Sequence, residues 1–402
     1  MLQQTGRIYN KSVRENEKGE RERTMEQRKE RIRLLDILRG FAILGTLGTN
    51  IWLFAHAGDL NYMTTFEYSG WWGTDDLLRM IVLFLVNGKL LGLLTIMFGV
   101  GLEMKYRQAK RKGKPWPGVY LWAVLFLFLE GLLHFILVME YDILMSYGIT
   151  AIIAAFIVKG GDRLIARSMT VIGSVCAVVL LGLMGLMLAV SGQVSMGSFD
   201  SIVALYQEGT WMEQVRYRLD NFLPLRIEAI LTIPSNIFLF LLGVRFMRAG
   251  VFSPDEKGKR IRKNLFRLGM FIGLPLNLLI FIPGGAFDLP VRYLFAPLMS
   301  MLYIAIIARM IQYTKWEWLW RLLENVGKMS LSCYVLQNII ASVLFYGWGF
   351  GLAGKLNSAA IIAVWLMICI VLLCISSLWL RGFKLGPMET VRKQAIGLFE
   401  SR

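Results

Sequence analysis

The stretch LLDILRGFAILGTLGTNIWLF, residues 34–54, decides the fold class of this chain. A helix needs about 20 predominantly apolar residues to cross the hydrocarbon core of a membrane, and only Asp36 and Arg39 are charged in this stretch. Similar stretches follow along the 402 residues, of which 56% are apolar and 18% charged. We therefore predict an all-α polytopic membrane protein. Disorder, a collagen, a disulfide scaffold and an ordinary soluble enzyme are excluded by this composition.

Counting apolar stretches of spanning length predicts about ten transmembrane helices. They cover residues 34–54, 78–102, 117–139, 143–158, 169–190, 225–247, 265–284, 290–311, 329–350 and 359–380. We expect one membrane domain over residues 34–390, between tails at 1–33 and 391–402. The polar outer segment 191–224 is expected to form an amphipathic helix on the membrane surface.

The basic residues indicate how the chain is oriented. With the N-terminus inside, 35 of the 44 Lys and Arg residues lie in cytoplasmic segments, as the positive-inside rule requires. This pattern predicts both termini in the cytoplasm; the family resemblance described below implies location in a bacterial cell membrane. The same placement of basic residues beside the lipid bilayer explains the net charge of +16, so no nucleic-acid partner is predicted.

Polar side chains inside apolar spans are costly, so each is a candidate for function. On the first span, Asp36 and Arg39 are three residues apart on one helical face, and could pair at the inner boundary of the membrane. Asn50 lies in the outer half, and His56 where the span ends. His56 is interpreted as a general base, an acyl acceptor or a hydrated interfacial side chain.

The third span carries Glu130 and His134, and Asp142 opens the fourth. If these spans form a tight hairpin, the Asp142 carboxylate lies near His134 and could orient its imidazole, as the acid of a catalytic triad does. A structural hydrogen bond that closes the hairpin is the alternative. In the second span, Lys89 must pair, neutralise or line a watery cavity. It could bind a phosphate or carboxylate, or pair with Glu130.

Other polar and glycine positions have simpler interpretations. Charged residues near span ends are expected to snorkel toward water; they are Glu228, Arg245, Arg292 and Arg309. Gln337 and Asn338 are expected to join helices by hydrogen bonds, and the glycines of the first span to allow close helix packing. With two histidines and scattered cysteines, no metal site is predicted.

Several blocks of sequence resemble one family. They are RGFAILG at 39–45 with Asn50-Ile51, GKL at 88–90 with MFGVG at 97–101, GLLH at 131–134 with Asp142-Ile143-Leu144 and Tyr147, GKMSLSCY at 327–334, FYG at 345–347 and FKLGPME at 383–389. Together they resemble the YeiB-type bacterial membrane proteins, which carry domain of unknown function 418. The C-terminal family block covers about residues 225–390, and Tyr141 stands where the family usually has glycine.

That family is distantly similar to transmembrane acyltransferases of the acyltransferase-3 and heparan-glucosaminide acetyltransferase groups. The resemblance implies a similar helical bundle and acyl-CoA, in particular acetyl-CoA, as donor. It implies that His56 accepts or activates the acyl group while Asn50 holds a developing oxyanion. Asp36 and Arg39 would organise the cytoplasmic entrance for acyl-CoA, and Lys89 would contact a phosphate or carboxylate.

We therefore expect a membrane-embedded acyltransferase that modifies a sugar, lipid or cell-wall acceptor at the outer face, with Asn50, His56, His134 and Asp142 as its catalytic candidates. The alternative is a permease for a small solute, with Lys89 and Glu130 in its pathway. A third possibility is a scaffold without chemistry. The chain could form a homodimer.

Overall fold

The computed structural model describes residues 33–65, 73–189, 198–312 and 315–400. The predicted cytoplasmic tail lies outside these ranges except for Arg33. Within them the secondary structure is helical, and no residue there belongs to a β-strand. The predicted all-α fold class is confirmed.

Fifteen helices make up these ranges. They are α1 Arg33–Ala55, α2 Thr74–Val86, α3 Lys89–Arg111, α4 Tyr120–Leu137, α5 Leu144–Lys159, α6 Gly161–Ala189, α7 Asp200–Glu208, α8 Trp211–Asp220, α9 Ala229–Ala249, α10 Glu256–Phe281, α11 Asp288–Met310, α12 Glu317–Lys328, α13 Ser330–Phe345, α14 Ser358–Gly382 and α15 Pro387–Glu400. Short 3₁₀ helices cover Leu60–Met63 and Pro224–Arg226.

Eight helical stretches of the described chain are long and apolar enough to cross a membrane, with α2 and α3 counted as one. A ninth is obtained if α12 and α13, which meet at an angle of 89°, form one broken span. The 16-residue α5 is apolar but shorter than a full span. The predicted multi-pass protein is therefore confirmed, with about eight candidate spans where the sequence suggested about ten.

Burial separates an inner set of helices from an outer set. The most apolar windows of α1 and of the α2–α3 stretch are 72% buried, whereas that of α6 is only 6% buried. Helix α3 packs mainly on α9, which also contacts α5 and α6. The inner helices α1, α3, α5, α9 and α11 therefore enclose the centre of the protein, and α4, α6 and α14 lie toward the periphery.

Glycines bring the inner helices into backbone contact. A Cβ atom at Gly99 of α3 would lie 2.0 Å from the Phe240 carbonyl oxygen, and one at Gly243 of α9 would lie 2.1 Å from that of Ile96. On α1, a Cβ at Gly40 would lie 2.0 Å from the Leu323 carbonyl oxygen. The predicted role of the glycines of the first span in close packing is confirmed.

Breaks in the helices occur at Gly, Asn and Pro residues. Asn87 and Gly88, the latter with φ of 72°, separate α2 from α3. A straight α2–α3 helix of 38 residues would be about 57 Å long, nearly twice the hydrocarbon thickness. In α10 a π-helical turn, Gly269–Gly273, precedes Pro275, and in α11 another, Val291–Phe295, precedes Pro297.

The segment that was predicted to lie on the outer surface contains two short helices, α7 and α8, where one was expected. Thr210 caps α8 through a capping box with Glu213. This cap starts a new helix instead of continuing α7. The part of the predicted segment up to residue 197 lies outside the described residues.

Helix α13 begins directly after the 89° bend and is capped by a distant carboxylate. The Glu389 carboxylate of α15 accepts hydrogen bonds from the backbone nitrogens of Leu331 at 2.8 Å and Ser332 at 3.3 Å, and from the Ser332 hydroxyl at 2.5 Å. A carboxylate at a helix N-terminus satisfies free N–H groups and complements the helix dipole. The C-terminal helix therefore holds the start of α13.

Candidate functional site

A cavity of about 110 Å³ lies among α1, α3, α5, α9 and α11. Its wall includes the link between α4 and α5 and the turn before α9. Polar groups from all these elements face it, and the charged ones are Glu140, Asp142, Arg226, Glu228 and Arg292. A polar cavity inside an apolar bundle is the default candidate for a binding or active site.

Beside this cavity, His134 of α4 lies next to Asp142. The His134 Nδ1 atom is 3.1 Å from the Asp142 Oδ1 atom, and both side chains are buried. The other oxygen, Oδ2, accepts a hydrogen bond of 3.0 Å from the Met145 backbone nitrogen, so the carboxylate is fixed at the start of α5. Gly131 permits this approach, because a Cβ there would lie 2.4 Å from the same nitrogen. The predicted proximity of His134 and Asp142 in a hairpin is confirmed.

Two asparagines connect the histidine to the cavity. The Asn338 Nδ2 atom lies 3.3 Å from His134 Nε2, and the Asn50 Nδ2 atom donates to Asn338 Oδ1 at 3.4 Å. Asn50 and Asp142 line the cavity, while His134 and Asn338 lie behind its wall. With a proton on Nδ1 facing the carboxylate, Nε2 would accept from the Asn338 amide. Asn338 therefore joins α13 to α4 and α1, as predicted for an amide within an apolar span, but its contact with the histidine was not predicted.

The second histidine, His56, is not brought to this cavity. It follows the last residue of α1, and its ring stacks on Tyr62 with a centroid distance of 3.4 Å and an angle of 3°. Burial, with the positive charge of Arg79, lowers the pKa of His56 to about 4. The imidazole is therefore neutral at pH 7, and Tyr62 occupies one face of its ring.

The remaining candidates lie outside the cavity wall. Arg39 Nη1 donates to Asp36 Oδ1 at 3.0 Å, as predicted from their spacing. Lys89 is fully buried, and its Nζ atom has no hydrogen-bond partner among the described residues. Its Nζ atom lies 5.7 Å from the centroid of the Phe84 ring. Within the described ranges no hydrogen bond joins Lys89 Nζ to Glu130, so the structure does not show the pairing that was one alternative for Lys89.

Glu228 and Arg292, which were predicted to snorkel, lie together at the exposed end of the cavity. Arg292 Nη2 lies 3.0 Å from Glu228 Oε1, and the Tyr293 hydroxyl donates to the same carboxylate oxygen. Arg226, which received no role, donates to the Asp142 carbonyl oxygen at 2.8 Å. In the sequence, these charged residues were marked only by a position near the end of an apolar span. The contacts between α9, α11 and the α4–α5 link involve residues far apart in the chain.

Glu140 ties the outer helices to the cavity. Its Oε2 atom accepts a hydrogen bond of 2.5 Å from the Tyr206 hydroxyl of α7. Burial raises the pKa of the Glu140 carboxyl above its usual range, against the opposing charge of Arg218. Arg218 of α8 donates to the Ile136 and Val138 carbonyl oxygens. Helices α7 and α8 are thus attached to the link that carries Asp142.

Residues 246–398 match the family described as "Protein of unknown function (DUF418)". The chain is 26% identical to the uncharacterized protein YxaH of Bacillus subtilis, over 91% of this chain and 94% of that protein. It is 28% identical to the uncharacterized protein YeiB of Escherichia coli, over 90% and 94%. An uncharacterized 39.9 kDa protein of Bacillus acidopullulyticus is 24% identical over 90% and 92%. These matches confirm the family resemblance that the sequence motifs predicted.

Proposed function

We propose that this chain, which belongs to the YeiB-type DUF418 family, is a membrane-embedded acyltransferase. It would take an acyl group from cytoplasmic acyl-CoA and transfer it to a hydroxyl or amine at the outer face, with both termini in the cytoplasm of a bacterial cell. One observation carries the proposal: a histidine with a carboxylate at its Nδ1 atom lies directly behind the wall of a polar cavity within the bundle. The distant resemblance to transmembrane acyltransferases supports it.

In this proposal Asp142 holds the proton of His134 on Nδ1, so that the Nε2 lone pair can act as a base. An acceptor hydroxyl replaces the Asn338 amide at Nε2 and gives up its proton there. Its oxygen bonds to the thioester carbonyl carbon, and the carbon–sulfur bond breaks. The proton passes from the imidazolium to the CoA thiolate, which leaves an ester and free CoA thiol. Asn50, at the cavity wall, would donate to the developing oxyanion.

The donor would approach from the side of Asp36 and Arg39. Their ion pair lies at the opposite end of α1 from the 3₁₀ turn that follows it, and the Arg39 side chain is 27% exposed. A guanidinium group is suited to the phosphates of CoA. The acyl chain would then extend along the bundle toward Asn50.

The two histidines provide a matched test. Membrane vesicles containing the protein are incubated with radiolabelled acetyl-CoA, and label transferred to the lipid and envelope fractions is measured. We expect His134→Gln to lower transfer by about 10²–10⁴-fold, the range of general-base catalysis, and His56→Gln to retain it. Equal loss in both variants, or full transfer by His134→Gln, would refute the assigned base. Absence of transferred label and of bound CoA in the unmodified protein would refute the acyltransferase itself.

A permease is the second candidate, and the Arg292–Glu228 ion pair favours it. This pair is partly exposed at the end of an otherwise buried cavity, where a charge pair could open and close around a solute. In reconstituted vesicles a permease would show gradient-driven uptake that Glu228→Gln abolishes and His134→Gln retains. An acyltransferase would show no uptake, and His134→Gln would abolish its acyl transfer.

A further inference from the structure

The cavity has an exposed end and a buried end. The Glu228 side chain is 41% exposed and the Arg292 side chain 26%. At the other end, the side chains of Asp142 and His134 are 0% and 1% exposed. A ligand that enters from the exposed end, at the first turns of α9 and α11, would reach Asp142 and the His134 behind it last.

The surroundings of the exposed end are apolar. Leu223, Ile227 and Ile230, on either side of Glu228 in the chain, are 78%, 70% and 71% exposed. They belong to or adjoin an apolar helix of spanning length, Pro224–Ala249. Exposed apolar side chains on such a helix face lipid chains, because water would penalise them. The exposed end thus opens beside lipid chains, and with the proposed orientation this is in the outer part of the membrane.

Helix α6 extends this apolar surface. It packs against α9 and against the first two turns of α11, the same two elements that border the opening. Near its outer end, Leu186 and Leu188 are 62% and 59% exposed. Lipid chains can therefore lie beside the opening along α6 and α9 while a polar group occupies the cavity.

The polar groups at the opening fit a phosphate. Arg226 and Arg292 both line the cavity, and the Nε atom of each has no hydrogen-bond partner among the described residues. Guanidinium groups bind phosphate oxygens through paired N–H donors. The Glu228 carboxylate contacts Arg292 Nη2 and the Tyr293 hydroxyl, so the Arg292 Nε atom is left to donate to a phosphate oxygen. The Asp142 oxygens face His134 Nδ1 and the Met145 backbone nitrogen.

We infer that the cavity opens sideways into the outer leaflet between the first turns of α9 and α11, and that it takes the headgroup of a phosphate-bearing lipid. The phosphate binds at Arg292, the chains stay beside α6 and α9, and the part of the headgroup beyond the phosphate points toward His134. The claim that this lipid is the acyl acceptor rests on the proposed function. The claim that the cavity binds it can be tested without enzymatic turnover.

The test uses the full chain in nanodiscs made with equal parts of phosphatidylglycerol and galactosyl diacylglycerol, a lipid with the same chains and no phosphate. Native mass spectrometry then measures the lipid retained after transfer to detergent. We expect phosphatidylglycerol to be retained and galactosyl diacylglycerol to be lost. Glycerol 3-phosphate, which has no lipid chains, should not displace the bound lipid.

Arg292→Leu should weaken retention about tenfold or more, the equivalent of one charge-assisted hydrogen bond. Arg216→Leu, on the exposed surface of α8, is the matched control and should retain lipid. Ile227→Gln alters an exposed side chain and preserves the core, so it provides a second variant if Arg292→Leu fails to fold. It should also weaken retention.

Equal retention of both lipids, full retention by Arg292→Leu and Ile227→Gln, or displacement by glycerol 3-phosphate would overturn the inference. If lipid is retained but no variant or unmodified protein transfers an acyl group, the proposed function fails and the lipid site stands. If a water-soluble acceptor is acylated and no lipid is retained, the lipid site fails and the acyltransferase stands.

Discussion

The crossing of α3 and α9 leads to a quantitative prediction for Gly99→Ala. The new Cβ would lie 2.0 Å from the Phe240 carbonyl oxygen and 2.7 Å from its carbon, where an ordinary contact needs at least 3.4 Å. Because both atoms belong to backbone, the helices must move apart. Overpacking of this kind costs about 1–3 kcal/mol, while replacing a helical glycine by alanine returns about 1 kcal/mol. We expect a net loss of up to about 2 kcal/mol in the free energy of unfolding.

Gly182→Ala on α6 is the matched control, because a Cβ there meets nothing within 4 Å. Without a clash, only the helix-propensity gain of about 0.5–1 kcal/mol remains. The measurement is the folded fraction during titration with sodium dodecyl sulfate in mixed micelles. The double variant Gly99→Ala/Gly243→Ala should cost less than the sum of its two parts, since one separation relieves both clashes. If Gly99→Ala is as stable as Gly182→Ala, the backbone contact described for α3 and α9 is wrong.

Two further predictions concern the histidines and their partners. Asp142→Asn keeps an oxygen for the Met145 nitrogen but removes the carboxylate from His134, so acyl transfer should fall about 10²–10⁴-fold with little change in melting temperature; transfer at the unmodified rate would refute the orienting role. For His56, burial lowers the pKa to about 4, below the value of about 6.5 in an unfolded chain. The unfolded state therefore binds the proton first, and stability should fall as the pH drops from 6.5 to 4. His56→Phe should flatten that part of a melting-temperature profile, and parallel profiles for the two proteins would contradict the burial of His56.

Short-range relations were predictable from the sequence. The Asp36–Arg39 pair follows from helical spacing. The approach of His134 to Asp142 follows from a hairpin whose ends are eight residues apart in the chain. Both depend on the geometry of one helix or one link, which local sequence determines.

Long-range relations were not predictable. Asn338 reaches His134 across 204 positions, and Arg292 meets Glu228 from another helix, so neither contact has a signature in local spacing. Depth in the membrane also failed to predict pairing. Lys89 and Glu130 were both assigned to the interior of spans, yet depth does not fix the direction in which a side chain points around its helix.

The capping of α13 by Glu389 has a practical consequence for mapping the topology of this chain with reporter fusions. A reporter joined anywhere before Pro387 deletes the carboxylate that satisfies the Leu331 and Ser332 nitrogens. Such a fusion would report on a protein in which the start of α13, after the bend from α12, is no longer capped by Glu389. Junctions placed beyond residue 400 keep that cap, and a comparison of the two kinds of junction would measure how strongly the last helix guides insertion of the segment before it.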